Sequence, residues 1–389
     1  MKPDETLDTD IRNEIFPHEA TRVYFMDSLR AVLMSLGVAL HAAMVYDTSR
    51  KWVVSDPSGD PAYGMLVSLI HLHRMPIFFL VAGFFTFLVY TKYSKADFLY
   101  TRVARIVFPF VATLLTANAA LQWYFSEYGL RTFTIAHWVG HLWFLAYLFL
   151  YIVFFMGLYS IRGWLRLPVA LIERGCEGRF RWLVLYMSFI AAFVVLRQII
   201  KVLNLWETTI AGFIDVPELL QYFVYFVAGL LLRRSETVFK MFTHPPGWIA
   251  LLAVALTVAV IGAKHFAVAA QYLDRWITLV ELSATFFGAS LVLGVFRRYF
   301  NVDSRMTRYF SDASFSIYLF HGPFLIAFAT VLVSLDLPGW VKFLLLVTLC
   351  LACTLAVHAL AISRVPVLML LFNGKSISSR QRRFSDQMW

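Results

Sequence analysis

Eleven ionisable side chains fall inside stretches otherwise dominated by apolar residues: Asp27, Arg30, His41, His71, His73, Arg74, His141, Arg197, Glu281, His321 and His358. An arginine at the centre of a membrane helix costs roughly 2.5–3.5 kcal/mol on insertion scales, so such residues mark a site or a pathway. Their types fit proton transfer next to an anion: imidazole takes and returns protons near neutral pH, and guanidinium forks hold carboxylates and phosphates. Arg30 and His41 are 11 residues apart. At 100° per residue that separation falls within about 20° of three full turns, so one helix face carries both, ~16 Å apart along the axis. Asp27, three residues before Arg30, is placed to pair with it. His71 and Arg74 share a face at the same spacing, whereas His73 points elsewhere. Arg102 and Arg105 precede a later apolar run and offer two forks suited to phosphates. His137 and His141 have an i,i+4 zinc-type spacing, but no carboxylate partner or H-E-x-x-H pattern accompanies them, so no metal site is expected.

The elements that carry these residues are membrane helices. Hydrophobic residues make up 60% of the 389 and charged residues only 15%, against roughly 45–50% and about 25% in soluble domains. Such a chain cannot hide its apolar surface in its own core, which excludes a soluble enzyme or a nucleic-acid-binding domain. Ten runs are long enough to cross ~30 Å of hydrocarbon: about 24–46, 65–90, 106–126, 138–160, 182–200, 214–232, 247–264, 275–296, 310–334 and 340–362. No alternating strand pattern competes. The expected fold is therefore all-α and polytopic, with a segment 1–23, a ten-helix region 24–362 and a basic tail 363–389. Three cysteines, Cys176, Cys350 and Cys353, provide no disulfide framework and read as packing residues.

Charge sets the expected orientation. With both termini in the cytoplasm, 24 of the 34 lysines and arginines fall in cytoplasmic segments. Seven (Arg50, Lys51, Arg131, Lys201, Lys264, Arg275, Lys342) fall opposite, and Arg30, Arg74 and Arg197 lie within spans. This positive-inside bias accounts for most of the net charge of +10, so the basic end Arg380–Arg383 reads as a topology anchor, not an RNA patch. In this frame Arg30 lies in the inner half of the membrane, while His41, His71, His141, Glu281 and His321 share an outer-to-middle slab. Several tryptophans near the outer ends fit an interfacial belt; Trp52, in a loop, is the candidate for stacking on a sugar.

These residues sit in five ordered blocks. YFMDSLRAVLMSLGVALH contains R-x10-H from Arg30 to His41, and RMPIFFLVAGFF (74–85), RVARIVFPF (102–110), HLWFLAYLFLY (141–151) and SFSIYLFHGP (314–323) follow. Together they resemble the membrane-bound acyltransferase-3 family over about 25–365. Within it they are most similar to the succinyltransferases of osmoregulated periplasmic glucans. One departure is Ala82, where many members carry serine, which argues against a hydroxyl role there. The resemblance implies a multi-pass enzyme of the bacterial inner membrane that moves succinyl, or a similar acyl group, from cytoplasmic acyl-CoA to glucan hydroxyls outside. It implies acyl-CoA as co-substrate, no permanently bound cofactor, and a homo-oligomer or glucan-biosynthesis partners as further contacts. His41 is then the base or a transient acyl carrier. Arg30 and Arg74 act with it in catalysis and, with Arg102 and Arg105, hold the donor. Asp27, His71, His141, Trp143, Glu281, Ser316 and His321 are acceptor-side or supporting residues. No appended esterase-like region is expected to relay the acyl group. Two other readings use the same residues: a secondary transporter of an organic anion, against which the lack of an internal repeat counts, and an acyltransferase with a lipid or other glycan acceptor.

Overall fold

The computed structural model describes residues 23–129, 131–159, 166–265 and 274–375. The segment before residue 23, Arg162 and the basic end Arg380–Arg383 lie outside the described residues. Among the described residues, ten helices are long and apolar enough to cross a membrane: α1 (Tyr24–Tyr46), α2 (Ala62–Tyr90), α3 (Lys95–Glu127), α4 (Ile135–Tyr159), α5 (Arg181–Val202), α6 (Val216–Arg234), α7 (Gly247–His265), α8 (Trp276–Tyr299), α9 (Arg305–Val333) and α10 (Gly339–Ile362). Each of the ten expected spans is present. Two helices begin earlier than the apolar runs suggest, α3 at Lys95 and α9 at Arg305, because their first turns are polar. Side chains cap both starts: Ser94 accepts from the Asp97 amide and Ser304 from the Thr307 amide, satisfying amides that the first turn leaves without partners. Among the described residues the only strands are a two-residue hairpin, Thr209–Ile210 with Ile214–Asp215.

Helix packing fixes what the site can be. α2 packs most extensively on α6, and α1 lies between α2 and α9, with α10 closing against α9. The α2–α6 contact is backbone on backbone: a Cβ on Gly83 would strike the Phe226 carbonyl, and one on Gly229 the Leu80 carbonyl. Such paired small residues replace the hydrophobic drive that lipid removes. α3 departs from α geometry twice, with π turns at Val103–Val107 and Leu114–Asn118. The helix Pro366–Asn373 ends at Gly374 (φ +60°), whose missing Cβ lets it sit directly on the backbone of Ala104 and Arg105 in the first π turn. The left-handed φ and the contact both require glycine there.

Candidate active site

The Arg30–His41 face of α1 runs along α9. At its start, Arg30 donates to the Ser311 hydroxyl at 2.8 Å, lies 4.0 Å from the Asp27 carboxylate and sits over the Phe85 ring. Three turns on, the His41 ring is stacked between Trp52 and His321, with centroids 6.0 and 5.2 Å away. Arg74 enters between these two ends from α2. It is buried, and its Nε donates to the Leu33 carbonyl at 2.8 Å. Gly37 makes room for it, since a Cβ there would be 2.6 Å from the guanidinium. One polar seam thus runs from Arg30 past Arg74 to His41.

The histidine end is built by α9 and the start of α4. Pro323 has no amide hydrogen, so the Leu319 carbonyl four residues earlier has no helical donor, and it faces the His141 ring. The His141 carbonyl in turn accepts from the Tyr318 hydroxyl at 2.7 Å. His321 Nδ1 lies 2.7 Å from the Tyr318 carbonyl, an acceptor only. Nδ1 therefore carries the proton, which leaves the lone pair of the neutral ring on Nε2. The His321 and His141 centroids are 4.7 Å apart. Arg74 is within electrostatic reach of His41, His141 and His321.

A loop covers this end. Asp56 pairs with Lys342 of α10 at 2.9 Å, both side chains almost wholly buried. Asp56 also accepts from the Ser58 amide and hydroxyl at 2.8 and 2.7 Å. Burial pushes the Asp56 carboxyl up, but the Ser58 and Lys342 bonds outweigh it and hold the group below its ordinary value. The pair pins the α1–α2 connection to α10, and that connection carries Trp52 onto His41. The ring expected to meet a sugar is stacked on the imidazole instead.

The opposite end of the seam opens into a cleft. Arg30, Arg102 and Arg105 line it together, with Phe85, Ser311 and Lys375. Arg102 also lies over Phe98 and donates to the Phe85 carbonyl. Lys375, just past the Pro366–Asn373 helix, pairs with Asp312 at 3.0 Å. Of the four arginines expected to hold the donor, Arg30, Arg102 and Arg105 share this cleft, and Arg74 lies outside it between the two ends.

Other sequence candidates lie outside the two centres, with His71 still within electrostatic reach of Arg74 and His41. Glu281 pairs with Lys264 at 2.6 Å between α7 and α8. His71 is exposed on α2 near that pair. Ser316 bonds to His358 at 2.8 Å, and Trp143 packs against Tyr147 and Tyr222. His137 turns to the Thr132 carbonyl.

A family model described as an acyltransferase domain, acyltransferase-3, matches residues 23–359. The chain belongs to the acyltransferase-3 family. It is also similar to "Glucans biosynthesis protein C" of Escherichia coli strain K12, 23% identical over 384 residues, covering 94% of this chain and 98% of that protein. The proteins of the same name in strains HS and SE11 are 23% identical over 386 residues, with the same coverage. No solved structure matches. A member of the acyltransferase-3 family with ten such helices is a multi-pass membrane acyltransferase, which removes the transporter reading. Sequence reasoning missed Ser311, Lys375 and the Asp56–Lys342 pair in this acyltransferase. A signal for the last existed, since Lys342 is a lone cation at the start of a very apolar helix.

Proposed function

We propose that this acyltransferase moves succinyl, or a similar acyl group, from cytoplasmic acyl-CoA to a hydroxyl of a periplasmic glucan. The observation that carries the reading is the seam itself, which joins a basic cleft near Arg30 to a histidine cluster at His41 through a buried arginine. In the expected orientation, Arg30, Arg102 and Arg105 face the cytoplasm and suit the phosphates of CoA, while His41, His141 and His321 face the acceptor. A donor entering the cleft threads its acyl thioester toward Arg74. His41 takes the proton of an acceptor hydroxyl as its oxygen bonds to the thioester carbon. Arg74 holds the carbonyl oxygen as it gains charge. The C–S bond breaks, and the CoA thiolate takes the proton back from His41. The name of the Escherichia coli relatives supports a glucan acceptor, and the positive-inside bias supports the two-sided arrangement.

The test is turnover of succinyl-CoA by the purified protein in lipid nanodiscs, with and without glucan. Expected are CoA release dependent on glucan, an O-succinyl ester on the sugar, and a loss of roughly 10²–10⁴-fold in His41→Gln with donor binding retained. Near-normal transfer by His41→Gln overturns the base assignment. A cysteine at exposed Lys51 should react with an impermeant maleimide in intact cells; protection of that site reverses the orientation.

A further inference from the structure

The second half of α3 is inside out. Between residues 111 and 125 its exposed positions include Val111, Leu115 and Trp123, while its buried positions are Thr113, Asn118, Gln122 and Phe125. Three of those four buried residues are polar. The spacing from Thr113 to Asn118 is five, which the π turn Leu114–Asn118 converts into a single turn, so the polar residues stay on one face. Polar side chains in membrane helices face the bundle interior or a hydrated cavity, and buried amides are normally hydrogen-bonded.

These amides are not fully bonded. Both Gln122 polar atoms, Oε1 and Nε2, are buried without a hydrogen-bond partner among the described residues, and so are Asn118 Oδ1 and Thr113 Oγ1. Gln122 is 7% exposed. The Asn118 amide nitrogen is used: it donates to the Trp138 and Val139 carbonyls at 2.8 and 2.9 Å, which ties α3 to the turn that presents His141. Leu121, Gln122 and Phe125 continue the Asn118 face at i+3, i+4 and i+7. Leu121 and His141 both approach Gly322, the residue after His321. Phe125 packs in one cluster with Val38 and Ile317, a turn from His41 and His321 respectively. At the same end, His41 Nδ1 and His141 Nε2 are likewise buried and without a partner.

We propose that Gln122 and Asn118 form a hydroxyl-binding subsite for the acceptor, beside the histidine cluster. This rests on the acyl-transfer reading and extends it by naming residues that recognise the acceptor. A carboxamide offers a donor and an acceptor a few ångströms apart and so fits two neighbouring hydroxyls of a sugar; Asn118 Oδ1 accepts from a third. A lipid alcohol has too few hydroxyls to satisfy these atoms, and the phosphates of the donor call for cations, which line the other end.

The test uses the full chain in nanodiscs with glucose oligosaccharides as probe. The saccharide should raise the midpoint of thermal unfolding of the wild type. Gln122→Met keeps the volume and removes both hydrogen-bonding atoms. It should lose that shift and raise the acceptor KM roughly tenfold, with the acyl-CoA KM unmoved. Its midpoint without saccharide should equal or exceed that of the wild type, because a buried unpaired amide has been removed. Gln122→Asn, which keeps the amide on a shorter stem, should fall between the two. A saccharide shift in Gln122→Met equal to that of the wild type, or a wild type that saccharides do not stabilise, overturns the subsite. Saccharide protection without any ester formed would instead leave the subsite standing and overturn the transfer reading.

Discussion

Removing the ammonium that pins the loop over His41 should loosen that loop by a calculable amount. Lys342→Met deletes the contact to Asp56 Oδ2 at 2.9 Å and a second to the Ser58 hydroxyl at 3.3 Å. Breaking a buried ion pair from one side costs about 3–5 kcal/mol. Asp56 Oδ1 keeps its two Ser58 bonds and the pair sits near the helix ends, so the lower figure applies. A cost of about 3 kcal/mol multiplies the opening equilibrium by roughly 10². The assay is hydrogen exchange at the Asp56 and Asp60 amides, which donate to the Val45 and Tyr46 carbonyls and close the loop onto α1. Both should exchange roughly 10² faster in Lys342→Met. The double variant Asp56→Leu/Lys342→Met should recover part of the protection, since no unpaired charge remains. Exchange within threefold of wild type in the single variant would refute the reasoning. The pH dependence follows from the lowered Asp56 value. A carboxylate depressed in the folded state contributes stability that is present above its unfolded value, about 3.9, and lost as pH falls through the folded one. Loop protection, corrected for intrinsic exchange, should be flat from pH 5 to 8 and fail only in stronger acid.

Arg105→Ala and Arg102→Ala should each raise the acyl-CoA KM by roughly 10–100-fold, the worth of one charged hydrogen bond, with the acceptor KM unchanged; an unchanged donor KM in both would remove them from the donor site. Gly229→Val should prevent the α2–α6 contact, because even its Cβ meets the Leu80 carbonyl, and should sharply reduce the yield of folded protein; normal yield and normal thermal midpoint would show that the two helices can separate.

The spans were legible from the sequence, and direction around each helix only in part. Ten apolar runs and the Arg30–His41 period follow from residue spacing alone, and both survive in the structure. His41, His71, His141, Glu281 and His321 could be assigned to one slab and Ser316 to a supporting role, but which of them face one another depends on how helices distant in sequence pack. Glu281 turns to Lys264 and Ser316 to His358, so neither reaches the histidines. The starts of α3 and α9 were hidden because polar first turns carry no apolar signal. Asn118 and Gln122 escaped notice for a related reason: they are uncharged, and only burial reveals that they lack partners.

The π turns of α3 have a consequence for how the two ends of the molecule are tuned to each other. Arg102 and Arg105 at one end and Asn118 and Gln122 at the other ride on the same rod, with Arg105 and Asn118 ~20 Å apart at 1.5 Å per residue. Each π turn carries about one residue more than an α turn. A one-residue deletion within the α stretch Phe108–Thr113 would swing one set of groups by about 100° relative to the other, whereas one within Leu114–Asn118 is absorbed as the π turn becomes an α turn. The phase angle between the anion-holding end and the amide end is thus written in residue count, and α3 is a span in which a one-residue indel outside the π turns acts as a rotation.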